Sequence, residues 1–215
     1  DAVHYAPHRC IDTDGWGIDF LVCSGYKFFA PHVGIMWGRR PLLESLPAYK
    51  VRPAPNVLPD RWMTGTQNHE GIAGVAAAVG YLADLGRGCD PRASDGRTAL
   101  RSAFQAITRH EQSLADALLQ DLADCPEIRV WGIREADADR RVPTVAITHR
   151  RLCARELAEY LASRSIFTWH GNFYALPLTE ALGVEPDGLL RISMVHYNTH
   201  EEVARLISAL RELDA

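Results

Sequence analysis

Short apolar runs alternate with longer segments of helical periodicity along this chain of 215 residues. The first two runs, 19–23 and 33–37, contain mostly β-forming residues and are followed by turns with glycine. They predict strands that are buried on two faces. From about Asn68 onward, apolar residues recur at helical spacing instead. The alternation of the two patterns predicts a mixed α/β fold.

Periodicity, prolines and capping residues predict the remaining elements. We expect a short helix at 41–46, an extended loop at 49–62, and a helix that begins near Asn68 and ends at a C′ glycine, Gly86. Beyond it we expect helices at 97–122, 152–162 and 201–213, and strands at 128–133, 143–148, 166–169 and 189–195. Thr199 and Glu202 predict a capping box at the start of the last helix.

Segment 86–96 separates two long stretches of helical periodicity. It is rich in glycine and polar residues and contains a proline, a composition that is typical of a linker. We therefore predict a domain boundary in this segment, with one domain at 1–96 and a second at 97–215.

Charge and composition exclude several classes of protein. The chain has 23 Lys and Arg against 27 Asp and Glu, a net charge of -4, so we expect no nucleic-acid partner. The longest apolar stretch, 75–83, is far shorter than the roughly 20 residues of a membrane span, so we expect no membrane partner. The five cysteines include no Cys-x-x-Cys pair, which disfavours a disulfide framework or zinc ribbon and predicts a cytoplasmic location.

Two cations are associated with apolar strands. Lys27 stands among aromatic residues after the first strand, where an apolar pocket would lower the pKa of its amine, as a Schiff-base lysine needs. The alternative is a lysine at a strand end whose amine reaches water. Arg191 lies in the predicted strand 189–195, on the face opposite Leu190, Ile192 and Met194. It either points to solvent from an edge strand or enters a site and binds a carboxylate with two hydrogen bonds.

Two further patterns suggest ligands but have simpler explanations. Segment 65–68 precedes a predicted helix, whose free N–H groups suit an anion, although such residues also serve merely as helix caps. His4, His8 and Cys10 are spaced like metal ligands. Pro7 disfavours a helix that would align the histidines, and no downstream Cys/His pair completes a site, so we expect no metal.

Taken in order, four blocks of the sequence resemble the motifs of the class V aminotransferase family, and of its cysteine desulfurase-like branch in particular. The blocks are Asp1-x-x-His4, Ser24-Gly25-Tyr26-Lys27, Gly65-Thr66, and Arg191 followed by Tyr197-Asn198-Thr199. The family consists of pyridoxal 5′-phosphate (PLP) enzymes of fold type I. The resemblance implies that 1–96 is the C-terminal part of the large PLP-binding domain, that 97–215 is the small α/β domain, and that the substrate is a small α-amino acid.

The resemblance also implies roles around the ring of the cofactor. Lys27 would form the Schiff base with PLP and move the Cα proton of the substrate, with its amine held between aromatic rings and out of water. Asp1 would lie across from it and pair with the pyridine nitrogen, which keeps that nitrogen protonated. His4 would contact the phenolic oxygen of the ring.

The other matched residues would bind the phosphate and the substrate. Ser24 and Tyr26 match the serine and histidine that bind the phosphate in the family. Thr66 matches a threonine that reaches the phosphate of the neighbouring subunit, which implies a homodimer with shared active sites. Arg191 would hold the α-carboxylate of the substrate.

The chain departs from the family where desulfurases carry their sulfur-accepting cysteine. Tyr174 occupies the position of that cysteine, and Trp169 occupies the position of a nearby arginine of the family. No cysteine lies within 166–190. Persulfide chemistry at this loop is therefore not expected, which leaves lyase, aminotransferase, epimerase or other desulfurase-like chemistry. Milder departures are His4 for glutamine, Tyr26 for histidine and Ala30 for glycine.

In the family, about half of the chain precedes the aspartate that Asp1 matches. That half includes a phosphate-binding loop at a helix terminus and an aromatic ring that stacks on PLP. The sequence is therefore also consistent with a non-catalytic half that needs a complementary chain.

Overall fold

The computed structural model describes residues 1–213, and the chain forms two compact units that divide between Ala106 and Ile107. The division falls inside one long helix, Gly96–Ala123. The domain boundary that the sequence suggests, at 96/97, stays a prediction. In residues 1–213, no helix combines the length and the apolar character needed to cross a membrane. All five cysteines carry free thiols, and the cytoplasmic location stays a prediction.

A two-stranded antiparallel sheet organises the first unit. Strands β1 (Phe20–Ser24) and β2 (Gly34–Gly38) pair with Phe20 opposite Gly38 and Ser24 opposite Gly34. The inner face packs on the N-terminal segment in a small core that contains Ala2, Ala6, Leu21, Cys23 and Phe28. The outer face carries Phe20, Val22 and Met36, which are 43%, 44% and 52% exposed. The prediction that both faces are buried is therefore wrong: the alternation of the strand buries only one.

Helices complete the first unit. The short helix α1 is Arg40–Ser45, and the long helix α2 is His69–Cys89. Between them runs the extended loop that the prolines predict, with a single 3-10 turn at Asp60–Trp62. The third helix, α3, is Gly96–Ala123, and its residues up to Ala106 belong to this unit.

Gly86 does not end α2, which continues to Cys89, so the predicted C′ position and the start of the predicted linker are wrong. Gly86 is buried where α2 meets α3. A Cβ atom built on it would lie 1.8 Å from the carbonyl oxygen of Ala99. The glycine is needed because the two helix backbones approach closely there, and Ala83 and Ala93 line the same contact.

The second unit contains a four-stranded antiparallel sheet in the order β3-β4-β6-β5. The strands are β3 (Ile128–Trp131), β4 (Thr144–His149), β5 (Trp169–Gly171) and β6 (Leu189–Ser193). Its helices are α4 (Ala154–Ala162), α5 (Leu176–Ala181) and α6 (His200–Leu213). The core joins strand residues to helix residues, among them Leu114, Leu118, Val145, Ile147, Leu157, Leu161, Leu190, Ile192, Ile207 and Leu210. Burial of each such side chain stabilises the fold by about 1.5–3 kcal/mol before entropy is counted.

Two predictions for this unit are wrong in detail. The strand predicted at 166–169 shares only Trp169 with β5. The last turn of α4 ends in a left-handed residue, Ser165, whose φ is 58°, and the chain then needs several residues to reach the sheet. Helix α5 is missed although Pro177 stands in its first turn, as Pro41 does in α1, because its six residues are too few for periodicity to reveal.

The capping box at α6 is confirmed. The Thr199 N–H donates to Glu202 Oε2 at 2.9 Å, and the Glu202 N–H donates to Thr199 Oγ1 at 3.3 Å. The Asn198 side-chain amide also donates to Glu202 Oε2, at 3.0 Å. These bonds, from Asn198 first and Thr199 second, hold the pKa of the Glu202 carboxyl below its usual range.

Candidate active site

The end of β1 and the loop that joins it to β2 carry three of the predicted site residues: Ser24, Tyr26 and Lys27. The loop begins with a 3-10 turn, Gly25–Phe28, and is closed by the Gly25 N–H, which donates to the Val33 carbonyl at 2.7 Å. Phe29 ends the turn in the left-handed region, with φ at 74°. We call residues 24–33 the lysine loop.

The lysine loop does not bury its lysine. The 3-10 turn directs Phe28 into the core, and the neighbouring Tyr26 and Lys27 point outward and are exposed. Tyr26 stacks on His32 with ring centroids 4.4 Å apart, and Lys27 Nζ lies 5.5 Å from the Tyr26 ring centroid. The expectation that the amine lies out of water is therefore wrong for this chain, and the alternative of a strand-end lysine with its amine in water describes its present environment.

The start of α2 packs against the lysine loop because two of its first residues are glycines. A Cβ atom on Gly74 would lie 2.4 Å from Pro31 Cγ, and one on Gly71 would lie 2.6 Å from Val33 Cγ2. The Gly71 N–H donates to the Asn68 side chain at 2.8 Å, so Asn68 is the N-cap of α2. Thr66 is exposed just before this cap. The structure thus packs the first turns of α2 against Pro31 and Val33 of the lysine loop.

Asp1 and His4 belong to the segment that lies beside β1. The Ala2 N–H donates to the Val22 carbonyl at 2.8 Å, and the exposed carboxylate of Asp1 accepts the Val3 N–H at 2.7 Å. His4 is exposed and meets His8 edge to face, with ring centroids 5.4 Å apart. Within residues 1–213, no group of three His, Cys, Asp or Glu side chains is arranged to hold a metal ion.

Arg191 lies in the second unit, in the interior strand β6. It pairs with Ala146 of β4 on one side and with Trp169 of β5 on the other, which excludes the edge-strand alternative. Its side chain is half-buried, and burial lowers the pKa of the guanidinium, which nevertheless stays protonated at neutral pH. Leu190, Ile192 and Met194 are buried, as the alternation predicts.

The sequence reasoning missed Phe173, whose ring lies under the Arg191 guanidinium at 4.5 Å from its carbon to the ring centroid. Phe173 has a φ of 55° and Tyr174 a φ of 63°, which bulky residues rarely adopt. The dipeptide Gly171-Asn172 before them was the available signal, because it is typical of a turn with left-handed residues. Tyr174, which stands at the desulfurase cysteine position, is fully exposed.

Comparisons with known proteins place these residues in a family. The family model for Aminotransferase class-V matches residues 1–90 and 97–206. The chain is 31% identical over 98% of its length to the aminotransferase-like protein FGM3 of Gibberella zeae, and 26% identical over 99% to a cysteine desulfurase of Pectobacterium carotovorum. It covers 50% of each, so the chain spans about half the length of these curated relatives.

Solved structures give the same result. The cysteine desulfurase CsdA of Escherichia coli superposes with a TM-score of 0.78 at 27% identity, over 100% of this chain and 51% of that one. The apo cysteine desulfurase of Thermococcus onnurineus superposes with a TM-score of 0.81 at 24% identity, over 99% of this chain and 51% of that one. The predicted fold is confirmed: it is the C-terminal part of the large domain, followed by the small α/β domain, of fold type I. The chain therefore belongs to the class V aminotransferase family.

Proposed function

We propose that this chain supplies the C-terminal half of a PLP-dependent enzyme that acts on a small α-amino acid through Lys27. The observation that carries the proposal is the lysine loop, where Ser24, Tyr26 and Lys27 lie within four residues and are accessible, and where Pro31 and Val33 pack on the start of α2. Membership of the class V aminotransferase family supports the same cofactor.

The chemistry of the side chains fits PLP. Lys27 offers a primary amine, and Ser24, Tyr26 and Thr66 offer hydroxyl donors for a phosphate. Asp1 offers a carboxylate on the segment that is hydrogen-bonded to β1. When PLP is bound, it supplies an electron sink that makes the substrate Cα–H bond acidic.

The residues of the chain then have separate tasks. Lys27 Nζ takes the proton from the substrate Cα and returns it, while the Asp1 carboxylate keeps a proton at the pyridine nitrogen. Ser24 and Tyr26 hold the phosphate, and Arg191 binds the substrate α-carboxylate through its N–H groups. His4 contacts the phenolic oxygen of the ring.

A homodimer with shared sites is part of the proposal. Thr66 would bind the phosphate in the active site of a second copy of the chain, and its exposure ahead of α2 supports this role.

We propose that the reaction is not persulfide formation at the loop that carries Tyr174. Tyr174 is fully exposed where desulfurases have their cysteine, and the free thiols of Cys10, Cys23, Cys89, Cys125 and Cys153 all lie elsewhere in the sequence. With cysteine and a thiol reductant, we expect little sulfide release. Robust release that is lost on a Cys→Ser substitution at any of the five would contradict this.

Reduction with borohydride in the presence of PLP tests the role of Lys27. The chain contains only two lysines, Lys27 and Lys50, and Lys50 donates to the Ala54 carbonyl at 2.7 Å in the extended loop, so it serves as a matched control. With the full-length gene product that contains this chain, we expect a pyridoxyl group on Lys27, lost in Lys27→Ala and kept in Lys50→Ala. A label on Lys50, or on neither lysine, would overturn the proposal.

A second candidate is a half that binds PLP only with a complementary chain. The exposed amine of Lys27 and the exposed apolar face formed by Phe20, Val22 and Met36 favour it. PLP added to this chain alone should then give no visible absorbance band of a PLP–lysine adduct. A band that is present in the chain alone and absent in Lys27→Ala would overturn this second candidate.

A further inference from the structure

The end of β5 and the turn that follows it, residues 171–174, are strained. Gly171 has a φ of 115°, and the two aromatic residues Phe173 and Tyr174 follow with φ values of 55° and 63°. A left-handed conformation costs a bulky residue about 1–2 kcal/mol, and strain of this kind is concentrated at functional sites. We call residues 171–174 the aromatic turn.

One close backbone contact and two local hydrogen bonds hold the aromatic turn in this conformation. A Cβ atom on Gly188 would lie 2.3 Å from the carbonyl carbon of Gly171, so the chain before β6 is in close backbone contact with the start of the turn. The Asn172 side chain accepts the Tyr174 N–H at 3.2 Å, and the Asn172 carbonyl accepts the Ala175 N–H at 2.8 Å. The packing of Gly188 and the hydrogen bonds of Asn172 therefore stabilise the left-handed conformation of this turn.

The strained conformation places the Phe173 ring against one face of the Arg191 guanidinium. Within residues 1–213, this guanidinium has no carboxylate partner and no hydrogen bond, although it is half-buried in an interior strand. A cation that is partly withdrawn from water and lacks a counter-charge is unusual, because desolvation costs free energy that a bound anion would offset.

We propose that Phe173 is the positioning residue of Arg191: its ring covers one face of the guanidinium and turns the N–H edge toward a planar carboxylate ligand. A guanidinium is planar and carries its donors in that plane, so a ring that fixes the plane also fixes the direction of two parallel hydrogen bonds. The identification of the ligand as a substrate α-carboxylate rests on the proposed function, whereas the pairing of Phe173 with Arg191 does not.

A second arginine–aromatic pair provides a control. On strand β3, Arg129 lies over the Trp131 ring at 3.7 Å, but Arg129 is exposed, and the Trp131 indole N–H donates to Thr148 Oγ1. In both pairs a guanidinium lies over an aromatic ring. Unlike Arg191, Arg129 is exposed, and its aromatic partner does not lie in a strained turn. The variant Trp131→Leu therefore removes a ring from an arginine outside the proposed site.

Acetate, a minimal carboxylate, is the probe. The chain is labelled with ¹⁵N, and the Arg191 Nε–H resonance is followed as acetate is added. We expect saturable binding at Arg191 that is about fivefold weaker in Phe173→Leu, as loss of a partly desolvated cation–π contact predicts. Phe173→Tyr should restore it, and Trp131→Leu should leave it unchanged. Equal acetate affinity in the wild type and a folded Phe173→Leu variant would overturn the proposal.

A measurement on the wild type covers the case in which Phe173→Leu does not fold. Rotation about the Nε–Cζ bond of Arg191 should be slower than that of Arg101, which is exposed on α3. Equal rotation rates would contradict a fixed guanidinium plane. Neither measurement uses PLP, so failure of borohydride labelling at Lys27 and failure of the acetate result are separate outcomes.

Discussion

The two units of this chain each present a candidate cation, and the two differ in how their surroundings hold them. Lys27 lies in a 3-10 turn at the tip of a hairpin and is exposed. Arg191 lies in an interior strand with a neighbour on each side and an aromatic ring under its guanidinium. A strand between two others fixes its side chains through both neighbours, whereas a turn fixes its backbone and leaves an outward side chain free. The arginine is therefore pre-organised within this chain, and the lysine is not.

The lysine loop instead depends on backbone packing against α2. Gly71 and Gly74 let Pro31 and Val33 approach the helix more closely than any side chain would allow. The position of the loop is thus determined by small residues on a helix and not by contacts of Lys27 itself. Single substitutions near Lys27 and near Arg191 can test this difference in how the two cations are positioned.

Gly74→Ala should have the largest effect, because the new methyl group would lie 2.4 Å from Pro31 Cγ. We expect a loss of about 2 kcal/mol in the free energy of unfolding, typical of overpacking. The NMR resonances of Tyr26 and Lys27 should shift. Chemical denaturation followed by circular dichroism measures the first effect, and amide spectra measure the second.

Gly80→Ala is the matched control for Gly74→Ala. A Cβ atom on Gly80 has no neighbour within 4 Å, and the residue lies in the same helix. Alanine is the better helix former there, so stability should rise by about 0.5–1 kcal/mol with the lysine loop unchanged. If Gly74→Ala and Gly80→Ala changed the free energy of unfolding equally, the lysine loop would not be held in place by close packing against Gly74.

The sequence predicts the surroundings of Arg191 better than those of Lys27, because the former depend on residues that are close in sequence. The half-burial of Arg191 between the buried Leu190 and Ile192 follows from alternation, since each residue of a strand faces the side opposite to the next. The capping box of Thr199 and Glu202 follows from a local pattern over four residues. Features of this kind depend on neighbours in sequence, so a single sequence is enough to predict them.

Other features depend on residues that are distant in sequence. From the sequence alone, Gly86 is typical of a residue that ends a helix. Its actual role is to allow the close approach of Ala99, which lies 13 residues further along the chain. The outward direction of Lys27 follows from the inward direction of Phe28, and aromatic composition alone does not distinguish the two. The pairing of Phe173 with Arg191 requires a strained turn, and local preference argues against that conformation.

Tyr174→Gly tests the strain in the aromatic turn. Tyr174 is fully exposed and left-handed, so glycine removes the steric cost without losing buried surface. After the greater entropy of the unfolded glycine chain is subtracted, we expect a gain of about 0.5–1 kcal/mol in the free energy of unfolding. Denaturant titration measures it.

Ser165→Gly is the control for that gain. Ser165 is also exposed and left-handed, at the C-terminal end of α4, where its N–H donates to the Ala162 carbonyl and the Ile166 N–H donates to the Leu161 carbonyl. Glycine is the usual residue in this motif, so a similar gain is expected. Stabilisation by Ser165→Gly but not by Tyr174→Gly would mean that the aromatic turn is not strained.

The smallest expected effect concerns the turn that follows β6 and the acid stability of the second unit. Hydrogen bonds from Asn198 and Thr199 lower the pKa of Glu202 in the folded chain below its unfolded value of about 4.3. A carboxyl with a lowered folded pKa adds stability above its unfolded pKa. That stability is lost as the pH falls from about 4.3 through the lower folded pKa. Because the group is near the surface, solvent screening limits the contribution to about 0.5 kcal/mol.

Glu202→Gln should remove this acid-dependent part of the stability. Unfolding of the wild type and the variant is compared by denaturant titration between pH 7 and pH 3, where the wild-type advantage should shrink as the pH falls. Thr199→Ala is the comparison variant at pH 7, because it removes the acceptor of the Glu202 N–H but keeps the bond from the Thr199 N–H to the Glu202 carboxylate. At that pH it should cost about 1 kcal/mol, as loss of a cap hydroxyl does. A wild-type advantage over Glu202→Gln that stayed constant down to pH 3 would mean that the charge of Glu202 does not stabilise the start of α6, and that the turn after Arg191 is held by its neutral hydrogen bonds alone.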